Sequence, residues 1–217
     1  MTTELFIQTL SASDQKLVSE LSTPQKIQLF LDELAYSSDE CYRCPRRVLQ
    51  NRLAHCFDGA LFGAAALRLI GCPPLILDMV PNDHDDDHIL ALYKIDGHWG
   101  ALAKSNFVGL RFREPIYRNL RELVMSYFEQ YYNVANEKTL RAYTLPLNLT
   151  AFDRFDWMTS DDNLERIADR LDQLRKIPVI TPKMVSGLSF VDPRTSESGL
   201  FGSIAAGLFK PEQAKNI

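Results

Sequence analysis

The sequence has no excess of basic residues, and this limits the partners that the protein is expected to bind. It contains 24 Lys and Arg against 28 Asp and Glu, which gives a formal net charge of −4. A general nucleic-acid-binding protein neutralises phosphates with a basic surface, so the acidic balance argues against that class. We therefore expect no nucleic-acid partner.

Long hydrophobic runs are also missing. No apolar run approaches the roughly 20 residues that a membrane-spanning helix needs, so we expect no membrane partner. Residues 1–21 have no basic head followed by an apolar stretch, and they therefore do not match a secretory signal. Both features predict a cytoplasmic location.

Cysteine is scarce, and its use follows from the expected location. The four cysteines are Cys41, Cys44, Cys56 and Cys72. Because cytoplasmic thiols are kept reduced, we interpret these residues as nucleophiles, ligands or small buried side chains and expect no disulfide framework.

Two patterns approach those of metal sites, and neither is complete. Cys41 and Cys44 have the spacing of zinc ligands, but a closed zinc site needs four ligands and no second pair follows. Asp83, Asp85 and Asp87 alternate like calcium ligands, but the loop lacks the glycine and the bidentate acid of an EF-hand. We predict no metal and no cofactor.

The composition predicts a folded domain. The hydrophobic fraction of 46% and the charged fraction of 24% are those of ordinary globular proteins. The length suits one domain, which we place at residues 1–209. Residues 1–54 are expected to form its helical N-terminal part and residues 177–209 a C-terminal extension. Residues 210–217 are expected to form a flexible tail.

Periodicity and turn signals predict an α+β fold. The predicted helices are residues 24–36, 45–53, 58–69, 119–132, 161–174 and 200–209, and the predicted strands are residues 75–80, 89–95, 99–103 and 139–149. Asp96-Gly97 between two strands is a strong hairpin signal, which makes the pair antiparallel. Residues 58–69 are apolar on all sides, which is typical of a helix buried on every face.

Cys56 comes just before this buried helix and is the first candidate for chemistry. A helix N-terminus offers unpaired N–H groups and a partial positive charge, both of which favour a thiolate and lower the thiol pKa. The same N–H groups can hold the oxyanion that forms when a thiolate attacks a carbonyl. The alternative is that Cys56 is simply a small buried residue, as free cysteines often are.

A nucleophilic thiol needs a base, and four histidines are present. His55 is adjacent to Cys56, and the side chains of neighbouring residues diverge. His84 lies in an acidic loop and His98 beside the hairpin turn, whereas His88 opens the first strand of the hairpin. We predict that His88 is the base. The alternative is a surface histidine attracted to the aspartates that precede it.

These residues belong to a longer pattern that resembles the transglutaminase-like superfamily, whose members have a papain-like cysteine site. The matching motifs are Cys56-x-x-Gly59, Ala64-Ala65-Ala66-Leu67-Arg68-Leu69-Ile70-Gly71-x-Pro73, Asp87-His88, Asp96-Gly97 and Trp99. The resemblance covers about residues 50–110. It implies a papain-like or transglutaminase-like core in which a buried helix carrying the cysteine packs on an antiparallel sheet, with additional helices.

The resemblance also implies an activity. Cys56 would attack an amide carbonyl of a peptide or protein substrate and form a thioester, with His88 as the base. Either water or an amine would then take the acyl group, and hydrolysis is our default because water needs no second binding site. A non-catalytic protein- or peptide-binding module that keeps the fold is the alternative.

The sequence departs from the family pattern at the third catalytic position. The family has an aspartate a few residues after the tryptophan, where this chain has residues 101–106, Ala-Leu-Ala-Lys-Ser-Asn. Regular hairpin register puts Ser105 opposite His88, and a one-residue bulge would put Asn106 there. We predict Asn106, because an asparagine orients the histidine in papain-like sites.

Three further residues are candidates for binding the oxyanion or the substrate. Gln50 precedes Cys56 by six residues, as does the oxyanion glutamine of papain-like sites; the alternative is a solvated glutamine on an amphipathic helix. Phe57 follows the cysteine, and Trp99 stands at the family tryptophan.

Overall fold

Capping residues fix the starts of several helices. The computed structural model of this chain describes residues 3–210, so most of the predicted tail lies outside the described residues. Thr23 accepts a hydrogen bond from the Lys26 N–H, and Pro24 occupies the first turn. The helices are α1 (Thr3–Gln8), α2 (Ala12–Glu20), α3 (Pro24–Glu33), α4 (Pro45–Asn51), α5 (Cys56–Leu69), α6 (Leu120–Met125), α7 (Glu165–Asp172), α8 (Pro182–Val185) and α9 (Pro193–Gly199).

The strands form one large antiparallel sheet and one small parallel pair. They are β1 (Ala35–Tyr36), β2 (Leu53–Ala54), β3 (Leu75–Pro81), β4 (His88–Ile95), β5 (His98–Leu102), β6 (Arg113–Tyr117), β7 (Leu140–Thr144), β8 (Leu147–Asn148) and β9 (Lys176–Pro178). The large sheet has the order β6-β5-β4-β3-β7-β9, and β8 also pairs with β3. Strands β1 and β2 pair in parallel just before the cysteine helix.

The predicted hairpin is present. Asp96 and Gly97 have φ of 47° and 82°, which are the left-handed values that a two-residue hairpin turn needs. The β4–β5 ladder is regular from the pair Ile95–His98 to the pair Ala91–Leu102. If this register is extended beyond Leu102, it determines which residue lies opposite His88 at the open end of the hairpin.

Helix α5 lies on one face of the sheet. Its residues from 57 to 67 are all buried. A Cβ on Gly63 would lie only 3.0 Å from the Cβ of Ala91, so the missing side chain lets α5 approach β4 closely. Ile89 and Ala91 pack in the same hydrophobic cluster as α5, whereas Leu90 and Leu92 pack in a second cluster on the other face. The predicted class, an α+β fold with a buried cysteine helix on an antiparallel sheet and additional helices, is confirmed.

Several predicted elements differ in extent. The predicted helix 119–132 becomes α6 followed by a 3-10 turn at Phe128–Gln130. The predicted strand 139–149 divides into β7 and β8 around Pro146, which has no N–H for a ladder. The predicted helix 200–209 contains only a 3-10 turn at Ala205–Gly207, and Gly202, with φ of 72°, turns the chain before it. No helix within residues 3–210 is long and apolar enough to cross a membrane.

Candidate active site

His55 caps the helix that carries Cys56. The His55 ring Nδ1 accepts a hydrogen bond from the Phe57 N–H at 3.2 Å, and the Asp58 carboxylate accepts one from the His55 N–H at 3.3 Å. The backbone N–H of Cys56 has no hydrogen-bond acceptor within residues 3–210. Of the first N–H groups of α5, it is therefore the one free to hold an oxyanion.

A buried ion pair anchors this helix end. Asp58 is fully buried, and its carboxylate accepts hydrogen bonds from the Arg43 N–H at 2.7 Å and from the Arg43 guanidinium at 3.3 Å. Burial raises the pKa of Asp58 to about 6, although the Arg43 N–H and the His55 N–H hold it lower than burial alone would. The same interactions fix the direction of the first turn of α5.

The Cys56 thiol lies at the open end of the β4–β5 hairpin. Its Sγ is 4.0 Å from the carbonyl oxygen of Asp87, and the N–H of Ile89 points toward the sulfur. Ile89 pairs with Asp78 of β3, but it lies beyond Ala91, where the β4–β5 ladder stops. The thiol thus lies against the backbone on both sides of His88.

His88 is on the side of β4 that faces away from α5, together with Leu90 and Leu92. A backbone carbonyl holds its ring. Its Nε2 lies 2.7 Å from the carbonyl oxygen of Leu110. Because a carbonyl can only accept, Nε2 carries the proton and Nδ1 is left as the acceptor. Burial, opposed by the Leu110 carbonyl and aided by the nearby Arg113, lowers the pKa of His88 to about 4, so the ring is neutral at pH 7.

One cavity brings the predicted residues together. A space of about 50 Å³ is lined by Cys56, His88, Ser105 and Asn106. It adjoins a cleft of about 410 Å³ that is also lined by Cys56 and by Phe57, whose ring packs 4.5 Å from that of Tyr42. No hydrogen bond joins the thiol to His88 among the described residues. Their catalytic roles stay predictions.

The predicted contact between Asn106 and His88 is not made. The Asn106 Oδ1 accepts from the Ile204 N–H at 2.8 Å, and its Nδ2 donates to the Ile204 carbonyl at 2.9 Å. The β4–β5 ladder has no bulge up to its last pair, Ala91–Leu102, so the bulge that would place Asn106 opposite His88 is not present within it. Ser105 comes opposite His88 when the register is extended, but its Oγ accepts from the Phe107 N–H at 3.0 Å. In this structure the Leu110 carbonyl orients His88.

Two other predicted residues lie away from both cavities. Gln50 is exposed on α4 and does not line the cleft. Trp99 pairs with Lys94, next to the hairpin turn and at the other end of β4 from Cys56. Its ring centroid is 5.0 Å from the Lys94 Nζ. Phe57 is the predicted substrate-binding residue that does line the cleft.

The sequence predicts a lowered pKa for Cys56, and the structure shows the opposite. Burial raises the thiol pKa well above its usual value, and the carboxylates of Asp87 and Asp86 raise it further. The partial positive charge of a helix end is worth little against desolvation and two nearby acids. In this state the site holds a thiol beside a neutral imidazole.

Part of the cleft could not be found from the sequence. Asp172 on α7 and Tyr36 on β1 line it, and so do residues 206–209. No local motif marks these residues, because they reach the cysteine only through contacts between distant parts of the chain. Several acids line the same cleft, namely Asp39, Glu40, Asp86, Asp87 and Asp172.

Residues 3–210 contain no group of three or more His, Cys, Asp or Glu side chains placed to hold a metal ion. All four cysteines are free thiols.

Comparison with known proteins finds a distant likeness of fold. No family model matches the chain, and no curated protein matches it. A solved structure of Legionella pneumophila LapG is 15% identical, with a TM-score of 0.36 over 48% of this chain and 71% of LapG. The EGTA-treated form is 12% identical, with a TM-score of 0.40 over 73% of this chain and 96% of LapG. This weak resemblance says nothing about the activity of the chain.

Proposed function

We propose that this protein is a cysteine-dependent acyl-transfer enzyme that acts on an amide bond of a peptide or protein. The observation that carries the proposal is a small cavity at the start of a buried helix that both Cys56 and His88 line. A nucleophile at a helix N-terminus with a rigidly held imidazole beside it is the arrangement that thiol acyl transfer needs. The cytoplasmic location stays a prediction.

The first half of the reaction forms the thioester. His88 Nδ1 takes the proton from the Cys56 thiol, and the sulfur attacks the amide carbonyl carbon. The backbone N–H of Cys56 donates to the oxyanion of the tetrahedral intermediate. The intermediate collapses by breaking the C–N bond, and His88 returns the proton to the departing amine.

The second half releases the acyl group. A water molecule gives a proton to His88 Nδ1 and attacks the thioester carbonyl, and the thiolate leaves and regains the proton. An amine in place of water would give transfer instead of hydrolysis. Throughout, the Leu110 carbonyl keeps the Nε2 proton in place, which preserves the reactive tautomer.

A binding module is the second candidate, and one observation favours it. The third catalytic position is filled by a neutral backbone carbonyl, which stabilises an imidazolium less than a carboxylate does. A site of this kind can bind a peptide without turning it over. The two candidates differ in whether His88 changes the reactivity of Cys56.

The test is the rate at which each cysteine is alkylated, measured by mass spectrometry as a function of pH. In an enzyme, His88→Ala slows the reaction of Cys56 near neutral pH by about tenfold or more, because a positioned base contributes factors of this size or larger. His98 is half-buried near the hairpin turn, and His98→Ala serves as the matched control that leaves the alkylation rate of Cys56 unchanged. Identical Cys56 profiles in the parent and His88→Ala would favour the binding module.

A further inference from the structure

The last described part of the chain lines the same cavities as Cys56. We call residues 203–209 the cleft segment. Gly207 and Phe209 line both the small cavity and the larger cleft beside Cys56. Ala206 and Leu208 line the larger cleft. The chain itself therefore forms part of the wall of the cleft beside Cys56.

Asn106 holds the cleft segment by its backbone. The Asn106 Oδ1 accepts a hydrogen bond from the Ile204 N–H at 2.8 Å. The Asn106 Nδ2 donates one to the carbonyl oxygen of the same residue at 2.9 Å. Ile204 has φ of −94° and ψ of 114°, which is extended backbone. A carboxamide that pairs with the N–H and the C=O of one extended residue recognises a polypeptide main chain. This contact does not depend on the side chain of that residue.

The passage beside the thiol admits no side chain at one point. A Cβ on Gly207 would lie 2.7 Å from Cε1 and 2.9 Å from Cδ1 of Tyr36, and 3.2 Å from the Asn106 Nδ2. Gly207 does not have a positive φ, so its backbone conformation does not require glycine. The lack of space for a Cβ does. The narrow passage therefore accepts a glycine at the position three residues after the one that Asn106 holds.

We propose that the cleft segment occupies the substrate site in place of a substrate, and that Asn106 pairs with the main chain of whichever extended peptide lies there. This inference rests on the proposed function of the Cys56 site. It assigns Asn106 as a substrate-positioning residue, and it makes the preferred substrate an extended polypeptide with a glycine three residues after the one that Asn106 holds. The cleft segment is tethered, so an external peptide competes against an effective concentration in the millimolar range for a short linker.

The Cys56 side chain is only partly accessible in this state. Burial is the main cause of the raised Cys56 pKa. Displacement of the cleft segment returns water to the sulfur, which lowers the thiol pKa toward its usual value and speeds alkylation.

Two substitutions in the full chain displace the cleft segment, each with a matched control. Gly207→Val drives a branched side chain into Tyr36, whereas the same change at Gly187 meets only the Met184 carbonyl oxygen at 3.7 Å from Cβ. Asn106→Ala removes two hydrogen bonds to backbone, and Asn148→Ala removes hydrogen bonds to Thr150 away from the cleft. We expect Gly207→Val and Asn106→Ala to raise the alkylation rate of Cys56 by about tenfold or more, and both controls to leave it unchanged.

A peptide added in trans tests recognition separately from tethering. A synthetic peptide with the sequence of residues 201–209 should bind the opened site of Gly207→Val and slow the alkylation of Cys56 again. In the double variant Asn106→Ala/Gly207→Val the same peptide should protect Cys56 from alkylation at least about tenfold less well. The reason is that the peptide main chain loses two hydrogen bonds. A peptide with valine at the position of Gly207 should not protect either variant.

The outcomes separate the two proposals. If Cys56 reacts as fast in the parent as in Gly207→Val, and the rate still depends on His88, the proposed function stands and the cleft segment does not cover the site. If hydrogen exchange shows the segment released in Gly207→Val while Cys56 stays inert, the proposed function fails. Equal protection by the peptide with and without Asn106 would overturn the role of that residue.

Discussion

The Nε2 atom of His88 lies 2.7 Å from the carbonyl oxygen of Leu110, and this contact decides which ring nitrogen can act as a base. The carbonyl can only accept, so the proton is on Nε2 and the lone pair is on Nδ1. A backbone atom thus performs the orienting role that the sequence assigns to Asn106, and no point mutation of a side chain can remove it directly.

The tautomer of His88 is a first prediction. At pH 7 we expect nitrogen chemical shifts of a neutral ring protonated at Nε2, with titration only near the lowered pKa of about 4. Nuclear magnetic resonance of ¹⁵N-histidine-labelled protein measures this, with His88→Gln identifying the resonances. A charged ring at pH 7, or a proton on Nδ1, would contradict the contact with Leu110.

The second prediction concerns the buried ion pair that anchors α5. Arg43→Met leaves Asp58 with an unpaired buried charge and should lower the free energy of unfolding by about 3–5 kcal/mol. Adding Asp58→Asn should recover part of that loss, because the charge that lacked a partner is gone. Denaturant unfolding measures both. Arg118→Met, in an ion pair on the surface, is the control and should leave stability unchanged.

A third prediction follows from Asp78, which is 2% exposed and whose Oδ1 has no hydrogen-bond partner among residues 3–210. Burial raises its pKa to about 8, far above that of an unfolded aspartate. The folded protein therefore holds a proton that the unfolded chain has lost, so stability falls as pH rises toward 8. The slope for one such group is about 1.4 kcal/mol per pH unit.

Asp78→Asn should remove the contribution of Asp78, which is measured as the difference in slope between parent and variant from pH 6.5 to 8. His88, with its pKa lowered to about 4, and Lys104, with its pKa lowered to about 8, add slopes of opposite sign that both proteins share. Below that window Asp58, Asp85 and Asp87, with pKa values raised to about 6, add slopes of the same sign. Thermal or denaturant unfolding at several pH values measures the effect. Asp162→Asn changes an exposed aspartate and should keep the slope of the parent. The same slope in Asp78→Asn would mean that Asp78 is ionised in the folded protein.

The fourth prediction tests how closely α5 packs on the sheet. Gly63→Leu inserts a side chain where a Cβ alone lies 3.0 Å from the Ala91 Cβ, and should cost about 1–3 kcal/mol of stability. Gly187→Leu is the control, since its Cβ meets nothing closer than 3.7 Å. Unchanged stability in Gly63→Leu would count against the close approach of α5 and β4.

Local sequence was enough to predict the elements that hold the site. Thr23-Pro24 starts a helix and Asp96-Gly97 closes a hairpin because capping and turn geometry depend on neighbouring residues alone. The apolar run after Cys56 indicates a buried helix for the same reason, since a helix with no polar face has no side to give to water.

The partners of the site residues depend on contacts that no local pattern records. Asn106 pairs with Ile204, which is 98 residues away in the chain, and His88 pairs with a carbonyl 22 residues away. The carboxamide of Asn106 is engaged by the backbone of Ile204 and is therefore not available to His88.

The amino-acid sequence by itself determined the α+β elements, the position of Cys56 at the start of the buried helix and the position of His88 at the start of a strand. The tertiary structure alone decided the environment of the thiol. Helix polarity is a local property and favours a thiolate, but burial and the carboxylates of Asp86 and Asp87 act through space and raise the pKa. Desolvation depends on everything packed around the sulfur, including residues 206–209, and is therefore fixed only when the whole chain has folded.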